Sequence, residues 1–258
     1  MVKKRIKRGA QQRVGVKRRA GAMQLLWAEP QTPTRGPKPT LSLDSIIDAA
    51  MGIADREGLS ALTMASVAQA LDVTTMATYR YVPGKEELID LMIDAAFASP
   101  PDCRTGDWRA ALANWARVEL ATLQARPWMI ETVLKRLAIG PNWTAWLDAA
   151  FQALAATPLR TTEKFAAIVL IDGHVRAAAQ ISVGAVGEWQ ENFSQVLASS
   201  VNDPRYRALG RAIQDAAQEP QQDDAGMMAE QFEFGLERIL DGIQSFIDSR
   251  PKRRNSRV

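Results

Sequence analysis

From residue 41 almost to its end, the chain repeats apolar residues at intervals of three and four positions. Ile46, Ile47, Ala50, Ile53 and Ala54 show this spacing within the first segment. Such a period places apolar side chains on one face of an α-helix, and almost no segment shows the alternation that a half-buried strand needs. We therefore predict an all-α protein.

Proline and glycine residues divide this pattern into separate helices. Proline disrupts a helix interior, and glycine readily takes the left-handed conformation in which many helices end. Ser42 and Thr63 precede two of the segments, where a hydroxyl can accept a hydrogen bond from a free N–H of the first turn. The predicted helices span residues 43–57, 64–71, 75–81, 85–98, 107–125, 127–138, 141–156, 161–187, 203–218 and 226–249.

The single cysteine and the single histidine restrict the chemistry open to the chain. Cys103 and His174 cannot form a disulfide framework or a metal site built from those two residue types. No Ser-His-Asp set, P-loop, CxxC or HExxH motif is present, and no run of 18 apolar residues marks a membrane span. We predict a cytoplasmic protein without a secretory signal, catalytic residue, cofactor, metal or membrane association.

Basic residues are concentrated at the start of the chain. Residues 1–40 contain eleven Lys and Arg and one acid, Glu29, whereas the remaining residues contain 21 Lys and Arg and 28 Asp and Glu. We predict disorder in residues 1–22 and an extended linker in residues 30–39, which hold four prolines. A basic arm before an acidic body favours a polyanionic partner. A solubilising tail, or residues upstream of the true start codon, are the alternatives.

The helices predicted at 64–71 and 75–81 are separated by a short turn, which is the arrangement of a helix-turn-helix. The predicted buried contacts are Val67, Ala68, Leu71, Val73 and Tyr79. The predicted exposed positions are Thr74, Thr75, Met76, Thr78, Arg80 and Tyr81. Hydroxyl and guanidinium groups there suit phosphates and base edges in the major groove, although an ordinary corner of two helices has the same pattern.

The residues around this motif resemble the DNA-binding domain of the tetracycline-repressor (TetR) family of transcriptional regulators. The resemblance rests on the runs Glu57 to Leu59, Val67 to Val73 and Tyr79 to Leu88. Residues 232–243 also resemble the last helix of that family's regulatory domain. The implied parts are a disordered basic arm and proline-rich linker (1–40), a three-helix helix-turn-helix domain (41–97), a larger helical ligand-binding and dimerisation domain (98–250) and a basic tail (251–258).

The resemblance also implies a role for particular residues at DNA. Thr63 would contact a phosphate from the start of the first motif helix, and Lys85 would contact another from the start of the following helix. The implied base-reading residues are Thr74, Thr75, Met76 and Ala77, and the implied backbone contacts are Tyr79, Arg80 and Tyr81. Thr78, with its methyl group and hydroxyl, is predicted to join this surface.

Two departures from the family pattern bear on DNA affinity. Met64 and Ala65 replace polar or basic residues, which puts base contacts from the first motif helix in doubt. Residues 41–97 carry three Lys and Arg against nine acids, so this domain is acidic. We hypothesise that the basic arm supplies phosphate affinity, with Arg35 and Lys38 lying across or into the minor groove.

The resemblance further implies a small-molecule effector that binds among the helices after residue 98. Aromatic side chains in this region favour an apolar or aromatic ligand. The candidate lining residues are Trp115, Trp128, Met129, Trp146, Phe151 and His174. Ordinary core packing is the alternative for each tryptophan, and a satisfied interior position is the alternative for His174. A single histidine disfavours a metal-chelated tetracycline.

The predicted helices at 161–187 and 226–249 would pair with a second copy in an intermolecular four-helix bundle. A homodimer suits a palindromic double-stranded operator, and we predict a repressor released by its effector. Intramolecular packing of the same helices is the alternative. A constitutive architectural DNA-binding protein and an enzyme using carboxylates such as Asp172 are the competing functions, and repression or activation depends on where the operator lies.

Overall fold

The computed structural model describes residues 23–28, 41–104, 106–133, 138–182, 195–201, 203–216, 218 and 224–250. Within those residues the regular elements are helices and no strand occurs, which confirms the predicted all-α class. The helices are α1 (Leu43–Glu57), α2 (Met64–Ala70), α3 (Thr75–Tyr79), α4 (Lys85–Ala96), α5 (Trp108–Ala125), α6 (Pro127–Val133), α7 (Pro141–Ala153), α8 (Thr161–Ser182), α9 (Arg207–Ala216) and α10 (Asp224–Asp248), with a 3₁₀-helix at Pro204–Tyr206.

Most predicted helix boundaries lie within a few residues of the observed ones. The helix predicted to continue to residue 138 is an exception, because residue 138 is not helical and residues 134–137 lie outside the described part. The segment 183–187, predicted to end α8, also lies outside it. Residues 23–26, within the predicted arm, and residues 195–200 are helical although no helix was predicted there.

The first compact unit comprises residues 1–111 and 125–155 and contains α1 to α4, α6 and α7. A capping box fixes the start of α1, because the Ser42 hydroxyl accepts from Ser45 N and the Ser45 hydroxyl accepts from Ser42 N. Gly58 ends the helix with a φ of 77°, a left-handed value that a side chain would disfavour. Both termini of the first helix follow from local sequence.

Helix α4 is buried over most of its circumference. Its buried residues include the apolar Leu88 and Met92 and also the charged Glu87, Asp90 and Asp94. A helix buried all round lies in the interior of its unit, and α4 packs against both α1 and α7. The helix after the helix-turn-helix therefore joins α1 to α7.

Two polar contacts attach α6 and α7 to the rest of this unit. The indole Nε1 of Trp128 donates to Asp55 Oδ1 at 2.6 Å, which links α6 to α1. The Asp94 carboxylate accepts from the backbone N–H groups of Asn142 and Trp143, which links α4 to the start of α7. By contacts, α6 and α7 thus group with the helix-turn-helix, and the functional boundary at residue 98 stays a prediction.

The second compact unit comprises residues 112–124 and 156–258 and contains most of α5 with α8, α9 and α10. Helices α8 and α10 form its main contact. His174 on α8 stacks on Phe232 of α10 with ring centroids 5.2 Å apart, and its Nε2 lies 2.8 Å from the Phe232 carbonyl oxygen. Arg117 on α5 makes a bidentate pair with Glu233 on α10 at 2.7 Å.

Helix α8 carries an exposed apolar face. Phe165, Val169 and Leu170 are 45%, 65% and 54% exposed. By length and composition, α8 alone among the described helices could cross a membrane, a property that it shares with ordinary core helices. Its central Asp172–Arg176 ion pair would be costly in lipid.

Candidate nucleic-acid interface

A capping box sets the start of α2. The Thr63 hydroxyl accepts from Ser66 N at 2.9 Å, and Thr63 N donates to Ser66 Oγ at 2.9 Å. These bonds satisfy two backbone groups that a helix start leaves free. Thr63 is exposed, as its predicted phosphate contact requires, whereas Met64 is 6% exposed and belongs to the core.

The turn between α2 and α3 depends on one residue with a left-handed backbone. Asp72 has a φ of 53°, a conformation that aspartate and asparagine tolerate better than most residues. Val73 N then donates to Ala68 O at 3.0 Å, which closes the turn. The predicted turn at 72–74 is confirmed, and with the contact between α2 and α3 it forms a helix-turn-helix.

The exposed face of α3 differs from the predicted one at Thr78 and Tyr79. Thr78, predicted to face DNA, is 0% exposed, and its hydroxyl donates to Thr75 O at 2.8 Å. Tyr79, predicted to be a buried contact, is 44% exposed. A hydroxyl that bonds within its own helix can be buried at little cost. The prediction for Thr78 is therefore wrong.

The remaining predicted contacts form an accessible surface on α3 and the residues just after it. Met76 is 72% exposed, Tyr81 is 37% exposed, and Thr74 and Arg80 are also exposed, whereas Thr75 and Ala77 are half-buried. The Arg80 side chain makes no ion pair or hydrogen bond with the described residues. This surface therefore combines an uncommitted guanidinium with a large apolar side chain and hydroxyl groups.

Tyr81 and Lys85 tie the residues after α3 to the two ends of α1. The Tyr81 hydroxyl donates to Leu41 O at 3.0 Å, just before α1. Lys85 Nζ donates to Leu59 O at 2.9 Å, in the loop after α1. An ammonium has three donors, so Lys85 keeps two for another acceptor. These two hydrogen bonds therefore fix the positions from which both residues could contact DNA.

Several acidic side chains of residues 41–97 are buried or paired. Glu87, Asp90 and Asp94 are 7%, 7% and 3% exposed. Asp55 is engaged by Trp128 and lies 3.8 Å from Arg126. Because at least four of the nine acids are buried or paired within this unit, the net charge of the segment overstates the repulsion that a phosphate would meet.

The described part of the basic arm is attached to the first unit. The Trp27 indole N–H donates to Ile139 O at 3.0 Å, in the loop before α7. Arg35 and Lys38, the residues hypothesised to contact the minor groove, lie outside the described residues. They belong to the stretch that connects Trp27 to the start of α1 at Leu43.

The predicted effector-lining residues fall into both units. In the first unit, Trp128, Met129 and Trp146 are 5%, 0% and 3% exposed, and Phe151 is half-buried. Trp146 donates to Phe97 O at 2.7 Å and packs edge-on against the Phe97 ring. These contacts favour the core-packing alternative for Trp128 and Trp146.

In the second unit, Trp115 is 4% exposed, and His174 lies between α8 and α10. A methyl group on Gly235 would overlap the His174 ring, so that the two helices meet closely there. This placement favours the interior alternative for His174. Among the described residues, no group of three or more His, Cys, Asp or Glu is arranged to hold a metal ion.

The side chains that link one helix to another through hydrogen bonds were not predicted from the sequence. Asp55 and Asp94 join α1 and α4 to α6 and α7, and their partners lie 73 and 49 residues away along the chain. Local sequence carries no signal for such pairs, because helical periodicity reports only which face of a helix is apolar. Glu119, buried at 3% exposure on α5, was missed for the same reason.

The fold and the surface of α3 define a helix-turn-helix DNA-binding protein. The chain matches the bacterial regulatory proteins of the tetR family over residues 46–92 and the tetracyclin repressor-like C-terminal domain over residues 100–247. It is 36% identical over 248 residues to the HTH-type transcriptional repressor DrrR1 of Streptomyces coeruleorubidus, covering 90% of this chain and 87% of that protein.

Solved structures show the same fold. Apo ActR from Streptomyces coelicolor superposes with a TM-score of 0.69 at 23% identity, covering 82% of this chain and 99% of ActR. The complex of ActR with actinorhodin gives a TM-score of 0.67 at 24% identity, covering 81% and 97%. The chain belongs to the TetR family, and it is a DNA-binding transcriptional regulator, as its sequence predicted.

Proposed function

We propose that this chain is a homodimeric repressor that binds a palindromic operator and releases it when a small apolar or aromatic molecule binds. The observation that best supports this proposal is the exposure of Met76 and Arg80 on α3 and at its end. Helix α3 is held in place by the capped helix α2 and by the hydrogen-bonded turn between them. Such a helix enters the major groove, and two of them in a dimer reach half-sites about 34–36 Å apart.

Selection of bound sequences from a random duplex library tests the DNA function directly. We expect enrichment of an inverted repeat and a marked preference for it over unrelated DNA. Recovery without any sequence preference would instead favour an architectural protein. Arg80→Ala should weaken all sequences alike and lower the salt slope by about 1.8, because a dimer carries the substitution twice and loses two phosphate contacts of about 0.9 each. Arg56→Ala removes a charge from the end of α1 and serves as the matched control.

We propose that Arg35 and Lys38 add phosphate contacts that the acidic helix-turn-helix domain lacks. Replacing both by alanine in the full chain should lower the salt slope of the dimer by up to about 3.6, because four phosphate contacts are lost and each contributes about 0.9. Removing residues 1–39 should lower it at least as much. Fluorescence anisotropy across a salt series measures both slopes. Unchanged affinity and slope in the truncated chain would exclude the arm as a DNA contact.

The groove between α8 and α10 is the surface proposed to bind the second copy. It has a volume of about 620 Å³, and its lining includes Leu170, Ile243 and Phe246. Leu170 and Phe246 are 54% and 48% exposed. Exposed apolar side chains at this density are typical of interaction sites, and dimerisation is typical of the family.

A charge placed in this groove should separate the two copies. Leu170→Asp is expected to give a monomer by light scattering at concentrations where the unmodified chain is a dimer. Operator affinity should then fall by about 10²-fold or more, because each head binds its half-site alone. Leu209→Asp introduces the same charge on α9, at a residue that is 40% exposed. A dimeric Leu170→Asp chain would contradict the proposed interface.

Effector release is the remaining part of the proposal. A ligand shifts operator occupancy only if it binds the DNA-free state more tightly than the DNA-bound state. The solved ActR complex with actinorhodin supports a small-molecule response in a protein of the same fold. Addition of a true effector to the operator complex should lower its anisotropy, and the same compound should raise the thermal midpoint of the free protein.

A further inference from the structure

A buried polar cluster joins α5 to α8 in the second unit. Glu119 on α5 is 3% exposed, and its carboxyl group adjoins that of Asp172 on α8. Asp172 Oδ2 accepts from Arg176 Nε at 2.7 Å, one helical turn further along. We refer to Glu119, Asp172 and Arg176 as the α5–α8 polar cluster.

One atom of this cluster has no partner among the residues that the structure describes. Glu119 Oε2 is buried, and no described residue donates a hydrogen bond to it. Buried polar atoms in proteins are nearly always hydrogen bonded, and a buried acceptor without a donor costs about 1–3 kcal/mol. A cluster that served only to hold α5 against α8 would gain nothing from this oxygen.

The charges of the cluster indicate which donor would suit it. Two carboxyl groups face one guanidinium, so the cluster carries one acid more than it has bases. Burial, together with the neighbouring Asp172, raises the pKa of Glu119 well above its ordinary value. The protonated form of Glu119 is therefore favoured when no cation is present. A single additional cation would allow both carboxylates to ionise.

We propose that the α5–α8 polar cluster is the recognition site for a basic amine on the effector, with Glu119 Oε2 accepting from the ammonium group. This inference rests on the proposed ligand response, and it adds that the effector carries a positive charge. The ammonium of the ligand donates to Oε2, the proton of Glu119 passes to solvent, and Asp172 keeps its bond to Arg176. No covalent bond is made or broken apart from that proton transfer.

Matched pairs of small compounds test the charge requirement. The probes are benzylamine, 2-phenylethylamine and 3-phenylpropylamine, each compared at millimolar concentration with the alcohol of the same skeleton. At least one amine is expected to raise the thermal midpoint of the full chain by about 2 °C or more, as selective binding to the native state requires, while its alcohol does not. Equal shifts for amine and alcohol, or no shift from any amine, would overturn the inference.

Two variants locate the effect. Glu119→Gln retains the size of the side chain and is expected to bind the amine at least tenfold more weakly. Glu230→Gln, an exposed position on α10, is the matched control and is expected to keep the shift. An amine shift that persists in Glu119→Gln would place the site elsewhere and refute the assignment.

Proton release distinguishes the site from a merely structural role for Glu119. Calorimetry of amine binding in two buffers with different ionisation enthalpies should show up to one proton released per amine bound, and none in Glu119→Gln. Loss of amine binding with intact operator binding leaves the proposed repressor function standing. Amine binding in a chain that selects no DNA sequence would instead refute the proposed function and leave this inference intact.

Discussion

Gly235→Ala is expected to lower the free energy of unfolding of the second unit by about 1–3 kcal/mol, the usual range for an overpacked core. The new methyl group would overlap the imidazole of His174, which is stacked on Phe232 and bonded to its carbonyl oxygen. His174 cannot move away without losing both contacts, so α8 and α10 must separate. Urea unfolding followed by circular dichroism measures the loss.

Replacing glycine by alanine in α1 should instead raise the free energy of unfolding. Gly52→Ala, inside α1, brings the methyl group only to the end of the Arg56 side chain at 3.3 Å. Alanine stabilises a helix interior by up to about 1 kcal/mol relative to glycine. In a His174→Ala background, Gly235→Ala should no longer destabilise the chain, because the overlapping ring is gone. Undiminished destabilisation there would assign the effect to some other neighbour of Gly235.

Asp94→Ala is expected to cost about 2–4 kcal/mol, since it removes the cap of α7 and leaves its first, partly buried N–H groups without an acceptor. Asp94 Oδ1 accepts from Trp143 N at 3.0 Å, and Oδ2 accepts from Asn142 N at 3.3 Å. Asparagine keeps one acceptor oxygen, so Asp94→Asn should show a smaller loss. Equal losses for the two variants would mean that the capping bonds contribute nothing.

The dependence on pH provides a second measurement at this residue. Burial raises the pKa of Asp94 above its ordinary 3.8, against the lowering effect of the backbone N–H groups of Trp143, Asn142 and Gly140. A raised folded-state pKa stabilises the protein fully below pH 3.8, and that contribution is lost as the pH rises through the folded value. The stability of the unmodified chain relative to Asp94→Asn should therefore decline with increasing pH.

Features encoded locally were predictable from the sequence. Ser42, Thr63 and Gly58 fix helix ends through bonds within a few residues, and the capping boxes and the left-handed Asp72 turn bear this out. The family pattern located the helix-turn-helix without a gap. Periodicity over a five-residue helix was too short to orient α3, so the faces of Thr78 and Tyr79 were exchanged.

Features that depend on distant partners were not predictable. Trp128 and Trp146 looked like ligand-lining aromatics, yet their indole N–H groups bind Asp55 and the Phe97 carbonyl. Residue type alone does not distinguish an aromatic side chain that faces a cavity from one that packs in a core. The burial of Glu119 could not be predicted, because residue type alone does not distinguish a buried acid from an exposed one.

The burial of α4 affects how this regulator can be re-engineered. Phe97 and Leu88 are 2% and 0% exposed, and Asp94 caps a helix that begins almost fifty residues later in the chain. A fragment cut after residue 97 would present these groups to water and is expected to fold poorly by itself. In a chimeric regulator, the module to transplant should therefore include α6 and α7, so that Asp55 and Asp94 keep their partners across the swap.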